Sequence, residues 1–195
     1  MGRHREFDVD EALDAALDVF WRKGYEGASY TDLTQATGVE RPALYSAFGN
    51  KEALFGLALA RYYDRYLHYF PAALAQPTSR QVVADILAGA AELHTRFDDR
   101  RGCLGVLGAL AGSDAAAPIQ QSLMVARAGG AAALVQRLEQ ARTEKDLPQD
   151  ANVDALAAFI MTLLSGMAVQ AKTGADRATL EAVAAQALAS WPGRA

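Results

Sequence analysis

The amino-acid sequence predicts an all-α protein, and three observations support this fold class. Alanine, the residue with the highest helix propensity, supplies 42 of the 195 positions. Apolar residues recur at spacings of three and four over long stretches, whereas few stretches show the polar–apolar alternation of strands. The hydrophobic fraction of 51% and the charged fraction of 22% are those of an ordinary globular protein and exclude a disordered chain.

Four helices are predicted in the first 70 residues. A capping residue or a proline opens each of them, and glycine closes the first three. Polar caps satisfy the free N–H groups of a first helical turn, so these positions fix the helix starts. The helices run between Asp8 and Gly24, Ser29 and Gly38, Arg41 and Phe48, and Asn50 and about Tyr69.

Further helices are predicted after a linker that Pro71 and Pro77 mark. The first of them carries an apolar stripe that extends from Val83 to Phe97. The others span residues 103–111, 118–144, 152–173 and 177–191. The pair Gly129 and Gly130 predicts a soft point in the longest of these helices.

Charge and cysteine content exclude several classes of protein. The net charge of −4 gives no sign of a nucleic-acid partner, so any basic surface must be local. A single cysteine excludes an internal disulfide and a cysteine-built zinc site. The N-terminus is polar, and the uncharged stretch 155–171 is slightly short for a membrane span. We therefore expect a cytoplasmic protein with no membrane segment.

Helices two and three are predicted to form a helix-turn-helix, because a tight turn at Gly38 joins them within the first 50 residues. In this motif the second helix of the pair, here residues 41–48, enters the DNA major groove. Leu44 and Phe48 lie four residues apart and are expected to pack inward on Phe20 and Leu33. The opposite face of the helix would then meet DNA.

The residues of this outer face have side chains that suit DNA. Arg41 can donate two parallel hydrogen bonds to guanine, and Pro42 and Ala43 offer apolar surface to a thymine methyl group. Contacts to phosphate set register rather than sequence. We assign such contacts to Tyr45, Ser46 and Lys51, with Thr31 reaching a phosphate or a base edge. Arg3 and Arg5 form either a minor-groove arm or a disordered tail.

The acidic balance of this region argues against DNA binding. Residues 1–70 contain 8 Lys or Arg and 11 Asp or Glu, a net charge of −3. The carboxylates of the first helix must therefore face away from DNA, and two subunits are needed for sufficient affinity. A helical dimerisation or interaction protein with weakened DNA binding stays open as an alternative. We predict no enzymatic activity, because the sequence lacks a catalytic grouping, a phosphate-binding glycine loop and metal-ligand spacing.

The stretch 10–55 resembles the DNA-binding domain of the TetR family of transcriptional repressors. The resemblance rests on the run ALDVFWRKGYEGASYTDLTQATGVERPALYSAFGNKEALF, which follows the family's spacing of glycines, aromatic residues and the lysine Lys51. Many members carry histidine where this chain has Ala47, so Tyr45 and Lys51 take a larger share of the phosphate contacts.

The resemblance implies a homodimer of about nine helices per subunit, with no cofactor. Residues 1–50 would form the helix-turn-helix domain, and residues 51–195 the helical effector-binding and dimerisation domain, with the fourth helix, 51–69, connecting them. The homodimer would repress transcription from a palindromic double-stranded DNA operator. A small-molecule effector would move the fourth helix and release the operator.

The last two long helices would form the dimer interface by this resemblance. Small residues allow close approach of helices, and large apolar residues supply buried area. The candidates are Gly166, Ala168, Leu180, Leu188 and Trp191.

The effector cavity is assigned to aromatic and methionine side chains on the helices that should surround it, which favours an apolar or aromatic effector. These candidates are Tyr62, Tyr66, Phe97, Met124, Phe159 and Met161. Arg127 is expected to pair with an acid group on the effector or with Glu92. Cys103 is either a reactive sensor or a small buried residue, and His94 is more typical of a core residue. A Cys103–His94 metal pair lacks further ligands, so no metal site is predicted.

Overall fold

The computed structural model describes residues 7–108 and 116–193, and within them all regular secondary structure is helical, as the sequence predicts. Ten α-helices are present in this part of the chain. They are α1 (Val9–Gly27), α2 (Tyr30–Thr37), α3 (Arg41–Phe48), α4 (Lys51–Tyr66), α5 (Tyr69–Leu74), α6 (Ser79–Thr95), α7 (Leu104–Gly108), α8 (Ala117–Thr143), α9 (Val153–Thr173) and α10 (Arg177–Ala189). Arg3 and Arg5 lie outside the described residues.

The helices of the N-terminal part begin at the predicted caps. The Asp8 carboxylate accepts hydrogen bonds from two backbone N–H groups of the first turn of α1. Ser29 and Asp32 cap α2 reciprocally, and the Asn50 side chain accepts from the backbone N–H of Ala53 in α4. These bonds satisfy N–H groups that a helix start otherwise leaves without partners. Gly38 adopts the left-handed conformation, with φ at 66°, and ends α2 at the predicted residue.

The structure departs from the predicted helix boundaries at three points. Gly24, with φ at 72°, interrupts α1, but helical structure continues to Gly27. The fourth helix ends at Tyr66, and α5 occupies the start of the predicted linker. Pro71 lies in the first turn of α5, where a helix tolerates a missing N–H group. Helix α8 runs through Gly129 and Gly130 without a break, and the soft point there stays a prediction.

Two clusters of buried apolar residues hold the fold together. The first cluster contains side chains of all four helices α1, α2, α3 and α4, packed around Phe20 and Phe55, and it extends to Leu104 in α7. The second joins α6, α8, α9 and α10 around Ile86 and Ile160. Because α4 belongs to the first cluster and reaches towards α7, it connects the helix-turn-helix region with the rest of the chain. The division into domains 1–50 and 51–195 stays a prediction.

Candidate nucleic-acid interface and ligand cavity

The helices α2 and α3 are held against α1 by the apolar side chains that the sequence indicated. Leu44 and Phe48 of α3 are buried in the same cluster as Phe20, Leu33 and Val39. The side chains Leu44 and Phe48 lie four residues apart on one face, so the opposite face of α3 must turn outward. The predicted inward packing of α3 is therefore confirmed.

The outer face of α3 is exposed to solvent. Arg41, Pro42 and Ser46 are exposed, and the Tyr45 side chain is 37% exposed. Thr31 is also exposed, in the first turn of α2. Two alanines differ from the prediction that they face fully outward. Ala43 and Ala47 are half-buried against the first cluster and present only part of their surface.

Arg41 is held in place by two tyrosine rings. Its guanidinium carbon lies 3.9 Å from the centroid of the Tyr30 ring, and Nη2 donates a hydrogen bond of 3.0 Å to the Tyr45 hydroxyl. Hydrogen bonds with Tyr30 and Arg41 lower the pKa of the Tyr45 hydroxyl. The sequence analysis missed Tyr30, although its position directly after the Ser29 cap placed it beside α3. An arginine ordered in this way loses less side-chain entropy on binding.

Lys51 lies at the start of α4, next to this surface. Its Nζ is 4.7 Å from the centroid of the Tyr25 ring, a cation–π contact. Burial lowers the pKa of Lys51 below its usual value. Because Lys51 is the first residue of α4, its amine lies near the backbone N–H groups of a helix N-terminus, which also attract anions.

The cations of the N-terminal part divide into paired and unpaired groups. Four of them form ion pairs with carboxylates, most of which belong to α1. These pairs are Arg22–Asp18, Lys23–Asp32, Arg61–Asp14 and Arg65–Asp14. Within residues 7–70, which the structure describes completely, Arg41 and Lys51 are the Lys and Arg residues without an ion pair. Against the effect of burial, Glu26 and Asp32 raise the pKa of Lys51, so the charge without a carboxylate partner among the described residues is that of Arg41, on the face of α3 that would meet DNA.

A cavity of about 450 Å³ lies among α4, α5, α6, α7, α8 and α9. Four of the predicted effector contacts line it, namely His94, Cys103, Arg127 and Met161. The remaining wall includes residues that the sequence analysis did not assign, namely Tyr63, Leu67, Tyr69, Phe70, Val106 and Leu164. The wall is mainly apolar and aromatic, as is typical of small-molecule sites.

Five predicted effector contacts lie elsewhere. Three rings pack instead around Trp21 of α1, and their centroids are 4.7 to 5.2 Å from its ring. These rings are Tyr62, Tyr66 and Phe97. Met124 and Phe159 are exposed on the outer surfaces of α8 and α9. The assignment of these five residues to the cavity wall is therefore wrong.

The polar groups of the cavity have few partners. His94 is buried, and its Nδ1 makes no hydrogen bond. Burial lowers the pKa of His94 to about 4, against a hydrogen bond to the Gly102 backbone that raises it. Arg127 Nη2 donates a 2.8 Å hydrogen bond to the Ser165 hydroxyl rather than pairing with Glu92.

Cys103 is buried and also lines the cavity. Its Sγ lies 3.4 Å from the Tyr62 hydroxyl, which donates a hydrogen bond to it. The sensor role of Cys103 stays a prediction. In the described residues no group of three or more His, Cys, Asp or Glu side chains could hold a metal ion.

Most of the predicted dimer contacts lie inside the subunit. Ala168, Leu180 and Trp191 are buried, and Trp191 Nε1 donates a hydrogen bond of 3.2 Å to the Ser79 hydroxyl. These three side chains have no surface to offer a second subunit, so the prediction for them is wrong. Gly166 is exposed and Leu188 is half-buried.

The outer face of α9 carries an apolar stripe. Phe159 and Val169 are 42% and 39% exposed, and Thr162 and Gly166 lie between them at helical spacing. By length and composition α9 could cross a membrane. Of its most apolar window, 28% is buried inside the subunit. A core helix of a soluble protein passes the same test of length and composition. The unburied stripe has the spacing of a helix–helix contact.

A helix-turn-helix with an exposed cationic face, joined to a helical region with an apolar cavity, defines a ligand-binding transcriptional regulator. Comparison with known families agrees with this class. The family description "Bacterial regulatory proteins, tetR family" matches residues 12–58, and "Tetracyclin repressor-like, C-terminal domain" matches residues 80–187. The chain belongs to the TetR family of transcriptional regulators and is not an enzyme.

Relatives of known role match over nearly the whole chain. The HTH-type transcriptional repressor ComR of Escherichia coli (strain K12) is 35% identical over 98% of this chain and 92% of ComR. The repressor BdcR of the same strain is 28% identical over 95% of this chain and 90% of BdcR. Among solved structures, a cysteine-substituted TetR family regulator CifR, complexed with a 26-bp double-strand operator, is 40% identical with a TM-score of 0.92. That match covers 98% of this chain and 100% of CifR.

Proposed function

We propose that the protein is a homodimeric repressor that acts in the cytoplasm, binds a palindromic operator through α3 and leaves it when a small molecule fills the cavity. The observation that carries the proposal is the exposed, unpaired Arg41 on the outer face of a helix whose inner face is fixed in the core. The complex of CifR with operator DNA supports it, since CifR matches this chain from end to end.

The residues of the α2–α4 surface have separate roles in this proposal. Arg41 reads a guanine, and Pro42 and the exposed part of Ala43 contact a thymine methyl group. Tyr45, Ser46, Lys51 and Thr31 hold phosphates and set the register of α3. Arg3 and Arg5 precede α1 and are retained as candidate minor-groove contacts.

Two subunits would meet through the outer face of α9. Phe159, Thr162, Gly166 and Val169 form its exposed stripe, and Val183 of α10 is also exposed. A Cβ placed on Gly166 would meet no atom within 4 Å, so this position is open to a second backbone. A symmetric pair would hold its two α3 helices about 34–36 Å apart, one turn of DNA.

Release of the operator follows from the position of α4. Its first residue, Lys51, lies beside α3, and Tyr63 and Asp64 near its end line the cavity. A ligand that displaces the end of α4 would therefore change the position of α3. A small rotation of each α3 is enough to break the spacing that the operator requires.

The proposal is tested with the Arg41→Glu variant and the DNA upstream of the protein's own gene. Fluorescence anisotropy should show a loss of at least about tenfold in operator affinity, because a bidentate arginine–guanine pair contributes about 1–3 kcal/mol in each subunit. Analytical ultracentrifugation should show an unchanged dimer. Arg142→Glu, at a half-buried position near the end of α8 where the arginine pairs with Glu139, is the control for charge reversal and should bind DNA as the wild type does.

A second variant separates dimerisation from DNA reading. Phe159→Asp should dissociate the dimer and weaken operator binding, since each subunit then contributes its contacts alone. Unchanged affinity of Arg41→Glu would show that α3 does not read the operator. A wild-type dimer that binds no DNA would instead support the helical interaction protein with weakened DNA binding.

A further inference from the structure

The apolar wall of the cavity contains two polar groups whose bonding is incomplete. Most of the wall is aliphatic or aromatic and would accept any apolar skeleton. Arg127 and His94 differ, because each can form a specific bond that no described residue supplies. These two side chains therefore determine which apolar molecules bind tightly.

Arg127 brings a positive charge to the cavity without an acidic partner. Among the described residues it bonds to the neutral hydroxyl of Ser165. Asp64, the acidic residue of the described wall, is exposed and forms no ion pair with it. A partly buried guanidinium is stabilised best by an oxygen anion, which accepts two of its N–H groups. No described residue supplies that anion, and a ligand carboxylate would supply it.

His94 brings a hydrogen-bond acceptor. The lowered pKa keeps the ring neutral, so it carries a single proton, and we assign that proton to Nε2 because the buried Nδ1 has no acceptor to donate to. The buried Nδ1 then carries a lone pair and no hydrogen. An acceptor that stays unpaired in a buried position costs stability, and a ligand O–H or N–H group would satisfy it.

We propose, on the basis of the proposed function, that the effector is an apolar or aromatic acid that also carries a hydroxyl or N–H donor. Its carboxylate binds Arg127, and its donor binds Nδ1 of His94. The ring system occupies the apolar wall beside Met161 and Leu164. A volume of about 450 Å³ accommodates a skeleton of two fused rings.

Three matched probes test this ligand class by isothermal titration calorimetry on the full-length protein. They are 6-hydroxy-2-naphthoic acid, its methyl ester and 2-naphthoic acid. The hydroxy acid should bind most tightly, and the ester at least about tenfold more weakly because it lacks the anion. Loss of the hydroxyl should weaken binding several-fold. Arg127→Gln should remove the difference between acid and ester, and His94→Phe the difference that the hydroxyl makes.

The control for charge is Arg142→Gln, on the same helix but outside the cavity wall, which should bind all three probes as the wild type does. The hydroxyl comparison on the wild type needs no variant, and equal affinity for the two acids would exclude the acceptor role of His94 even if His94→Phe does not fold. Equal affinity for acid and ester, or no binding of any probe, would overturn the assigned ligand class. Operator binding is measured on the same preparation. A protein that binds operator DNA but fails these comparisons loses only the ligand class, whereas one that binds no operator fails the proposed function.

Discussion

Acidification is expected to destabilise the protein through His94. Burial lowers the pKa of His94 from 6.5 to about 4, so the folded protein holds this ring neutral while the unfolded chain protonates it. A group with a lowered folded-state pKa contributes its full stability above the unfolded value and loses it as the pH falls. The free energy of unfolding should therefore fall by about 2 kcal/mol at about pH 5 and on the order of 3 kcal/mol at about pH 4.

The assay compares urea unfolding of the wild type and His94→Gln from about pH 8 to about pH 4.5, at equal protein concentration because a dimer's stability depends on it. The variant has no titrating ring, so its stability should change less over this range. Asp32 does not obscure the comparison, because hydrogen bonds from Lys23 and Ser29 lower its pKa to about 2 and its contribution is lost only below its usual 3.8. Parallel pH profiles for the two proteins would refute the assignment of a buried neutral His94.

Four further substitutions test side-chain packing and backbone conformation. Trp191→Ala should lower the free energy of unfolding of the subunit by about 3–5 kcal/mol, measured by urea unfolding, because the ring is buried. If the variant instead dissociates the dimer without loss of subunit stability, Trp191 belongs to the dimer interface. Gly102→Ala should cost at least about 1 kcal/mol, since φ is 66° and its Cβ would lie 2.9 Å from the Ala168 carbonyl oxygen. Gly129→Ala, in open space on α8, should instead stabilise by about 1 kcal/mol, and equal effects of the two would contradict this reasoning. Trp21→Phe removes the 2.9 Å bond from Nε1 to the Gly102 carbonyl and should cost about 0.5–1.5 kcal/mol, again by urea unfolding, because one hydrogen bond is lost.

Local chemistry made the N-terminal part predictable from the sequence. Ser29 and Gly38 specify the start and end of α2 by hydrogen bonding and backbone conformation, which depend on a few neighbouring residues. The inward face of α3 followed from the spacing of Leu44 and Phe48. The stacking of Arg41 on Tyr30 did not follow, because it depends on the angle between two helices.

The cavity wall could not be predicted because α4 carries aromatic residues on more than one face. Tyr62 and Tyr66 lie four residues apart and turn together towards Trp21. Tyr63, one residue after Tyr62, is rotated by about a quarter of a turn and lines the cavity. When both faces are apolar, the sequence period does not show which face meets the ligand.

The same difficulty affected the dimer interface. Large apolar side chains such as Leu180 and Trp191 suggested contact with a second subunit, but they fill the core between α6 and α10. The exposed stripe of α9 includes Thr162 and Gly166, which contribute little to a hydrophobic pattern. Burial within one subunit and burial between two subunits select similar residues, so composition alone does not separate them.

The carbonyl oxygen of Gly102 lies between the two halves of the protein. The Trp21 Nε1–H donates to it from α1, and the Gly102 backbone also raises the pKa of His94 in the cavity wall. An exchange of side chains elsewhere in the wall leaves this main-chain oxygen where it is. Substitutions at Met161 or Val106 could therefore change which effector the cavity binds. The hydrogen bond from Trp21 to the Gly102 carbonyl would still connect α1 with the cavity region.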